Sequence, residues 1–125
     1  MTRLTLALFA IVAAICVFTT GPMSAQSAAA GKDLFERRCT GCHALDREKE
    51  GPRLGGVFGR PSGSVGTFQY SAGLKKLHVT WDAATLDKWL TDPEKMVPDT
   101  DMAFHLANAD ERRAVIAFLK SSSGK

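Results

Sequence analysis

The N-terminal part of the chain has the longest apolar stretch. Residues 4–18 are almost entirely apolar, the pair Gly21-Pro22 comes next, and small residues then run up to position 30. This order is typical of a secretory signal peptide. The stretch is also shorter than the about 20 residues that span a bilayer. We predict a signal peptide over residues 1–25 and one folded domain over residues 31–125.

The cleavage position is less well defined than the signal itself. Cleavage after Ala25 fits the small residues best, with Ala28 and Ala30 as alternatives. A strong A-x-A site is missing, so an uncleaved N-terminal anchor stays open as a second interpretation.

The pattern beyond residue 30 is helical where it is regular. Apolar spacing and capping residues predict four short helices, over residues 31–38, 71–77, 82–91 and 108–120. Six glycines and two prolines predict an irregular loop over residues 51–66. Pro93 and Pro98 are expected to exclude helix from the stretch that follows residue 91. No strand pattern, repeat or second domain is visible, so the predicted fold class is all-α.

Size and composition indicate that a cofactor adds to the hydrophobic core of the domain. The chain has 125 residues, so about a hundred remain after removal of the signal, and such a domain builds only a marginal core. Two cysteines remain, Cys39 and Cys42, and a disulfide between them would close a very small loop, which stabilises a fold little.

The charge balance of the mature chain is nearly neutral. Loss of Arg3 leaves 15 basic against 13 acidic residues. This nearly neutral balance, without a basic stripe, predicts no nucleic-acid binding.

The two cysteines belong to the motif Cys39-Thr40-Gly41-Cys42-His43. Two intervening residues put both thiols on nearly one helical turn, within reach of the two vinyl groups on one edge of a haem, and the adjacent imidazole can then meet the iron. A thioredoxin-like pair would need a βαβ setting, and a zinc site would need further paired Cys or His. Neither is visible, so the motif predicts one covalent haem c, with His43 as an axial ligand.

The second axial position decides what such a haem does. A vacant position would allow oxygen or peroxide chemistry, whereas a strong sixth ligand favours electron transfer. Met ligation raises the reduction potential. Spacing alone leaves four candidates open: His78, Met96, Met102 and His105.

Several segments, in this order, resemble class I cytochromes c of the bacterial cytochrome c2 and mitochondrial type. The likeness extends from Gly31 to about Lys120, through these pieces: Gly31-Lys32-Asp33-Leu34-Phe35, Gly51-Pro52-Arg53-Leu54, Gly59-Arg60, Phe68-Gln69-Tyr70-Ser71, Thr80-Trp81, Asp92-Pro93 and Val97-Pro98-Asp99-Thr100-Asp101-Met102. The resemblance implies a small cytochrome c fold, with four to five short helices and long loops wrapped around one covalent haem.

The resemblance also implies roles for individual residues. Met102 would be the sixth ligand, the Pro52 carbonyl would accept a hydrogen bond from His43, and Thr100 would donate to one propionate. Three residues would hold the other propionate: Arg60, Tyr70 and Trp81. Trp89 stands where many relatives carry tyrosine. The resemblance therefore does not decide whether this residue donates a hydrogen bond to the methionine sulfur. Four residues would form the crossing of the first and last helices: Gly31, Phe35, Val115 and Phe118.

The implied function is that of a soluble, periplasmic, monomeric carrier of single electrons, not an enzyme. Its partners would be a membrane cytochrome complex, an oxidase or a dehydrogenase, met transiently and without membrane insertion. A haem subunit of a periplasmic oxidising complex is the alternative, and a ligand sensor would require Met102 to leave the iron easily. Charges near the expected haem edge are mixed, which predicts weak electrostatic steering. On the ligand-loop side Glu94, Asp99 and Asp101 stand against Lys95, and on the other side are Arg37, Arg38 and Lys49.

Overall fold

The computed structural model describes residues 23–124, so residues 1–22 of the predicted signal peptide lie outside the described part. Five helices follow one another along it: α1 (Met23–Arg38), α2 (Ala72–Lys75), α3 (Ala83–Thr91), α4 (Pro93–Met96) and α5 (Ala109–Ser122). No strand occurs between residues 23 and 124, apart from a single bridge between Pro61 and Thr80. The all-α prediction is therefore confirmed. No helix among the described residues is long and apolar enough to cross a membrane.

The helix ends follow the capping residues. Asp82 accepts a hydrogen bond from the Thr85 backbone N–H at 2.8 Å, and the Thr85 hydroxyl accepts one from the Asp82 N–H at 2.8 Å, which closes a capping box at α3. Asn108 accepts from the N–H groups of Asp110 and Glu111 at the start of α5. Such caps satisfy amides that have no partner inside the helix.

Two helix predictions are corrected by the structure. The expectation that prolines exclude helix after residue 91 is wrong for α4, which starts with Pro93 itself. Proline fits the first helical position because that N–H has no helical partner in any case, and the Asp92 carboxylate caps the turn by accepting from the Lys95 N–H at 3.0 Å. Helix α1 begins eight residues before the predicted start, at Met23, through an alanine-rich stretch of high helix propensity.

The first and last helices cross at close range. A Cβ added to Gly31 would lie 1.9 Å from the carbonyl oxygen of Ala114, so glycine is required where α1 meets α5. Phe35 and Phe118 meet beside it with ring centroids 5.2 Å apart, and Val115 is 1% exposed. The four residues predicted for this crossing are thus together, and the crossing fixes the end of α1 from which the cysteine motif continues.

Helix α3 is joined to α5 through one half-buried arginine. Arg112 donates to the Asp87 carboxylate at 2.7 Å and to the carbonyls of Leu106 and Ala107 at 2.9 and 2.8 Å. Leu106 is among the most buried side chains, with 1% exposure. Helix α3 and the loop before α5 are therefore held in a fixed relation, with the apolar face of α3 directed inward.

Candidate functional site

A cavity of about 310 Å³ lies between α3, α5 and the long loops, which is within the range of small-molecule sites. Most of its lining is apolar or aromatic. All nine residues predicted from the sequence to bind the cofactor line it: Cys39, Cys42, His43, Pro52, Arg60, Tyr70, Trp81, Thr100 and Met102. These residues are spread over more than sixty positions of the chain, and the fold brings them to one place.

The cysteine motif continues α1 as a further turn. The Cys39 N–H donates to the Phe35 carbonyl at 2.9 Å, and the N–H groups of Cys42 and His43 donate to the Cys39 carbonyl at 3.1 and 2.8 Å. Both thiols are free and border the cavity, with Cys39 half-buried and Cys42 exposed. The motif therefore presents two thiols and one imidazole from a single turn of chain.

The surroundings of these thiols disfavour the two alternative interpretations of the motif. Burial raises the pKa of the Cys39 thiol to about 11, although the adjacent Arg38 guanidinium acts in the opposite direction. A disulfide-exchange nucleophile needs a lowered pKa instead. Within residues 23–124, no group of three His, Cys, Asp or Glu side chains is placed to hold a metal ion by itself.

The His43 imidazole is held in one orientation and one tautomer. Its Nδ1 lies 2.8 Å from the Pro52 carbonyl oxygen. A carbonyl can only accept, so Nδ1 carries the hydrogen and the lone pair of Nε2 is free for a metal. Burial lowers the imidazole pKa, and the Lys49 ammonium lowers it further, whereas the bond to Pro52 opposes them. The neutral form, which is the one that ligates, is thereby favoured.

A glycine makes room for that imidazole. A Cβ added to Gly51 would lie 2.2 Å from Cε1 of His43 and 2.6 Å from its Nδ1. A side chain at position 51 would push the His43 ring away from the carbonyl of Pro52, the residue that follows Gly51. Sequence reasoning noted Gly51 as part of a motif but missed this reason for it.

Only one of the four candidate sixth ligands lines the cavity, and that is Met102. Met96 packs against the hydrophobic core away from the cavity, and His78 and His105 are exposed. The thioether of Met102 accepts a hydrogen bond from the Trp89 indole N–H, with a distance of 3.2 Å between Nε1 and Sδ. The hydrogen bond to sulfur that the sequence left open is thus present, with an indole as its donor.

Trp89 is itself firmly held. It is 8% exposed and packs against Trp81 with ring centroids 5.5 Å apart. The N–H of Met102 donates to the Thr100 hydroxyl at 3.2 Å. Because that hydroxyl accepts, its own hydrogen stays free for an acceptor in the cavity.

Polar donors gather at another part of the lining. The Arg60 guanidinium donates to the carbonyls of Gly55 and Arg53 at 3.1 and 2.8 Å, and burial lowers its pKa. The Tyr70 hydroxyl accepts from the Val65 N–H at 3.3 Å, which leaves its hydrogen available. A guanidinium, a phenol and the Trp81 indole on one cavity are suited to bind carboxylates.

The residues present fit a haem. Two thiols can form thioethers, a neutral imidazole and a thioether can ligate iron, and the donors near Arg60 can hold propionates, all around one mostly apolar cavity. Several lining residues were not predicted as site residues, among them Leu54, Phe68, Leu74 and Phe104. Leu54, Phe68 and Phe104 lie in irregular loops, and Leu74 lies in the four-residue helix α2. These segments are too irregular or too short for an apolar period to mark the inward face.

The comparison with known proteins agrees with this geometry. Residues 28–123 match the family model described as Cytochrome c. The chain belongs to the cytochrome c family. Among curated relatives, cytochrome c of Cannabis sativa is 41% identical over 98 residues, which are 75% of this chain and 88% of that protein. Cytochrome c 2.1 of Caenorhabditis elegans is 43% identical over 98 residues, with coverages of 76% and 88%.

A solved structure is similar as well. Cytochrome cH from Methylobacterium extorquens matches with a TM-score of 0.71 and 40% identity, covering 75% of this chain and 97% of that one. As a cytochrome c, this chain binds one haem c covalently through Cys39 and Cys42. Cytochromes c are electron carriers, not enzymes, and pass electrons to redox partners.

Proposed function

We propose that this cytochrome c is a periplasmic carrier whose haem iron is ligated by His43 and Met102. The observation that carries the proposal is that Met102 is the single candidate sixth ligand at the cavity, with its sulfur fixed by Trp89. The signal-peptide pattern of residues 1–25 and the similarity to a bacterial cytochrome support the periplasmic location.

The chain's contribution to electron transfer is rigidity and exclusion of water. Bound haem supplies an iron that alternates between the ferric and ferrous states. The Pro52 carbonyl holds the His43 ring, and the Trp89 indole holds the Met102 sulfur, so neither ligand needs to move when the charge changes. The apolar lining disfavours the more charged ferric form and so raises the reduction potential.

The surface near the cysteine motif is where partners would dock. Cys42 is exposed, so the haem edge bound there would lie near solvent, close enough for a partner to exchange electrons. We propose brief contacts through a small interface with a membrane cytochrome complex, an oxidase or a dehydrogenase.

The spectrum and ligand reactivity of the haem-loaded protein test this function. The ferric protein is expected to show the weak near-infrared band of an iron–sulfur bond, and the ferrous protein is expected to bind carbon monoxide slowly. Absence of the band together with rapid carbon monoxide binding would show an open sixth position, and the carrier proposal would then be abandoned in favour of a ligand-binding role.

The charges near this edge predict how partner reactions respond to salt. Glu94 and Asp101 are exposed together with Lys95 on one segment, and Arg37 and Arg38 are exposed at the end of α1. Mixed signs give little steering, so we expect oxidation by an isolated oxidase to slow by only about twofold between low and physiological salt.

A charge variant is the control for this experiment. Replacing Glu94 and Asp101 with lysine should make the salt dependence with an acidic partner much steeper. An unmodified protein that already loses rate by tenfold or more would contradict the weak-steering prediction.

A further inference from the structure

The segment that carries Met102 is tied to another part of the fold by one carboxylate. This ligand segment, residues 97–102, follows α4. Asp99 Oδ2 accepts a hydrogen bond from the backbone N–H of Gly73 at 2.8 Å, and Oδ1 accepts one from the Ser71 hydroxyl at 3.2 Å. The two donors lie at the start of α2, 26 and 28 residues earlier in the chain.

The contact depends on a glycine at position 73. A Cβ there would lie 2.1 Å from Asp99 Oδ1 and 2.8 Å from Cγ1 of Val97. The Ser71 hydroxyl is held in turn, because it accepts from the Leu74 N–H at 3.2 Å as the cap of α2. The exposed Asp99 carboxylate can therefore reach the start of α2 only because position 73 carries no side chain.

The remaining backbone hydrogen bonds of the ligand segment are local. The Thr100 N–H donates to the Val97 carbonyl at 3.0 Å, and the Met102 N–H donates to the Thr100 hydroxyl at 3.2 Å. Trp89 holds the sulfur of Met102 but not its backbone. Asp99 thus joins the backbone of the segment to α2, three residues before the thioether.

A neighbouring residue provides a natural contrast. Asp101 has the same side chain and the same charge, and it stands two positions further along the same segment. Both aspartates are exposed, and Asp101 also borders the cavity, but Asp101 makes no hydrogen bond or ion pair within residues 23–124. A difference between the two aspartates would therefore come from the contact with α2 and not from their charge.

We propose that Asp99 is a positioning residue that holds the ligand segment against α2 and thereby slows the release of Met102 from the iron. This rests on the proposed ligation by Met102. Hydrogen bonds from an N–H and a hydroxyl to a carboxylate are charge-assisted and therefore stronger than neutral ones. For Met102 to leave the iron, the segment must swing away from the cavity, and the contact with Gly73 and Ser71 must break first.

The rate at which imidazole binds to the ferric haem-loaded protein tests the proposal. At saturating imidazole and fixed pH, this rate reports the opening of the ligand segment. Asp99→Ala is expected to raise it about tenfold, equivalent to about 1.4 kcal/mol. Gly73→Ala should raise it by a similar factor, because its Cβ excludes the same carboxylate from the other side. Asp101→Ala is the matched control and should leave the rate unchanged.

The double variant decides whether the two residues act through one contact. If they do, Gly73→Ala combined with Asp99→Ala opens no faster than either single variant, since the effects of residues in contact do not add. Asp99→Asn keeps one acceptor oxygen for the Gly73 N–H and should restore most of the slow rate, which a loss of general stability would not explain.

Three results would overturn the proposal, and they separate the role of Asp99 from the ligation by Met102. Equal rates for the Asp99, Asp101 and unsubstituted proteins, or additive effects in the double variant, would overturn the role of Asp99 alone. A missing iron–sulfur band in the unsubstituted ferric protein would overturn the ligation by Met102, and with it the function proposed above.

Discussion

Replacement of Met102 by alanine is expected to lower the reduction potential of the haem-loaded protein by on the order of 100 mV and to open the iron to ligands. As the proposed ligand, the thioether would stabilise ferrous relative to ferric iron. None of the other three candidate ligands lines the cavity to replace it. A redox titration measures the reduction potential. The rate at which carbon monoxide binds to the ferrous form measures how accessible the iron is to external ligands.

The matched control is the other methionine of the same region. Met96 ends α4 and packs against the core outside the cavity, so Met96→Ala should reduce stability to urea by about 1–2 kcal/mol and leave the potential unchanged. If Met96→Ala opens the iron while Met102→Ala does not, the ligand assignment is wrong.

Replacement of Trp89 by phenylalanine is expected to give the second largest effect. The change keeps an aromatic ring but removes the N–H that donates to the Met102 sulfur. With Met102 as the proposed ligand, that bond would draw electron density from the sulfur, weaken its donation to ferric iron and favour the ferrous state. A difference of about 1 kcal/mol between the two states corresponds to a potential lower by about 40 mV in the variant.

The same change should make Met102 harder to displace from ferric iron. A variant that merely loosened the fold would make Met102 easier to displace. Without the indole donor, the sulfur binds ferric iron more strongly, so displacement by imidazole should require a higher concentration. Trp89→Tyr offers a hydroxyl donor in its place and should bring the potential back toward that of the unsubstituted protein. An unchanged potential in Trp89→Phe would show that the bond to sulfur does not influence the iron.

The part of the site that could be predicted from the sequence is the part encoded by local spacing or by the order of motifs. Cys39, Cys42 and His43 share one turn, so their proximity follows from chain geometry. The family resemblance implied a hydrogen bond from His43 to the Pro52 carbonyl. The structure contains this bond, with 2.8 Å between Nδ1 and the carbonyl oxygen. All nine predicted cofactor residues line the cavity because the order of motifs reflects one fold.

What could not be predicted depends on contacts between distant loops. The pairing of Asp99 with Gly73 joins an irregular segment to the start of α2, and no periodicity in the sequence marks that contact. The donor on the Met102 sulfur was uncertain because an indole and a phenol place their hydrogens differently. Helix α4 was missed because the helix-breaking rule for proline applies to helix interiors, whereas Pro93 occupies the first position of its helix.

The indole at position 89 also decides whether the donor to the Met102 sulfur can lose its proton. A phenol can donate, accept and lose its proton near pH 10, but an indole N–H only donates and keeps its hydrogen throughout the working range of a protein. In an oxidation cycle that involves Met102, the donor on its sulfur therefore exchanges no proton with solvent. The hydrogen bond to the sulfur should therefore keep its strength as the pH changes, whereas a tyrosine donor would lose its hydrogen near pH 10.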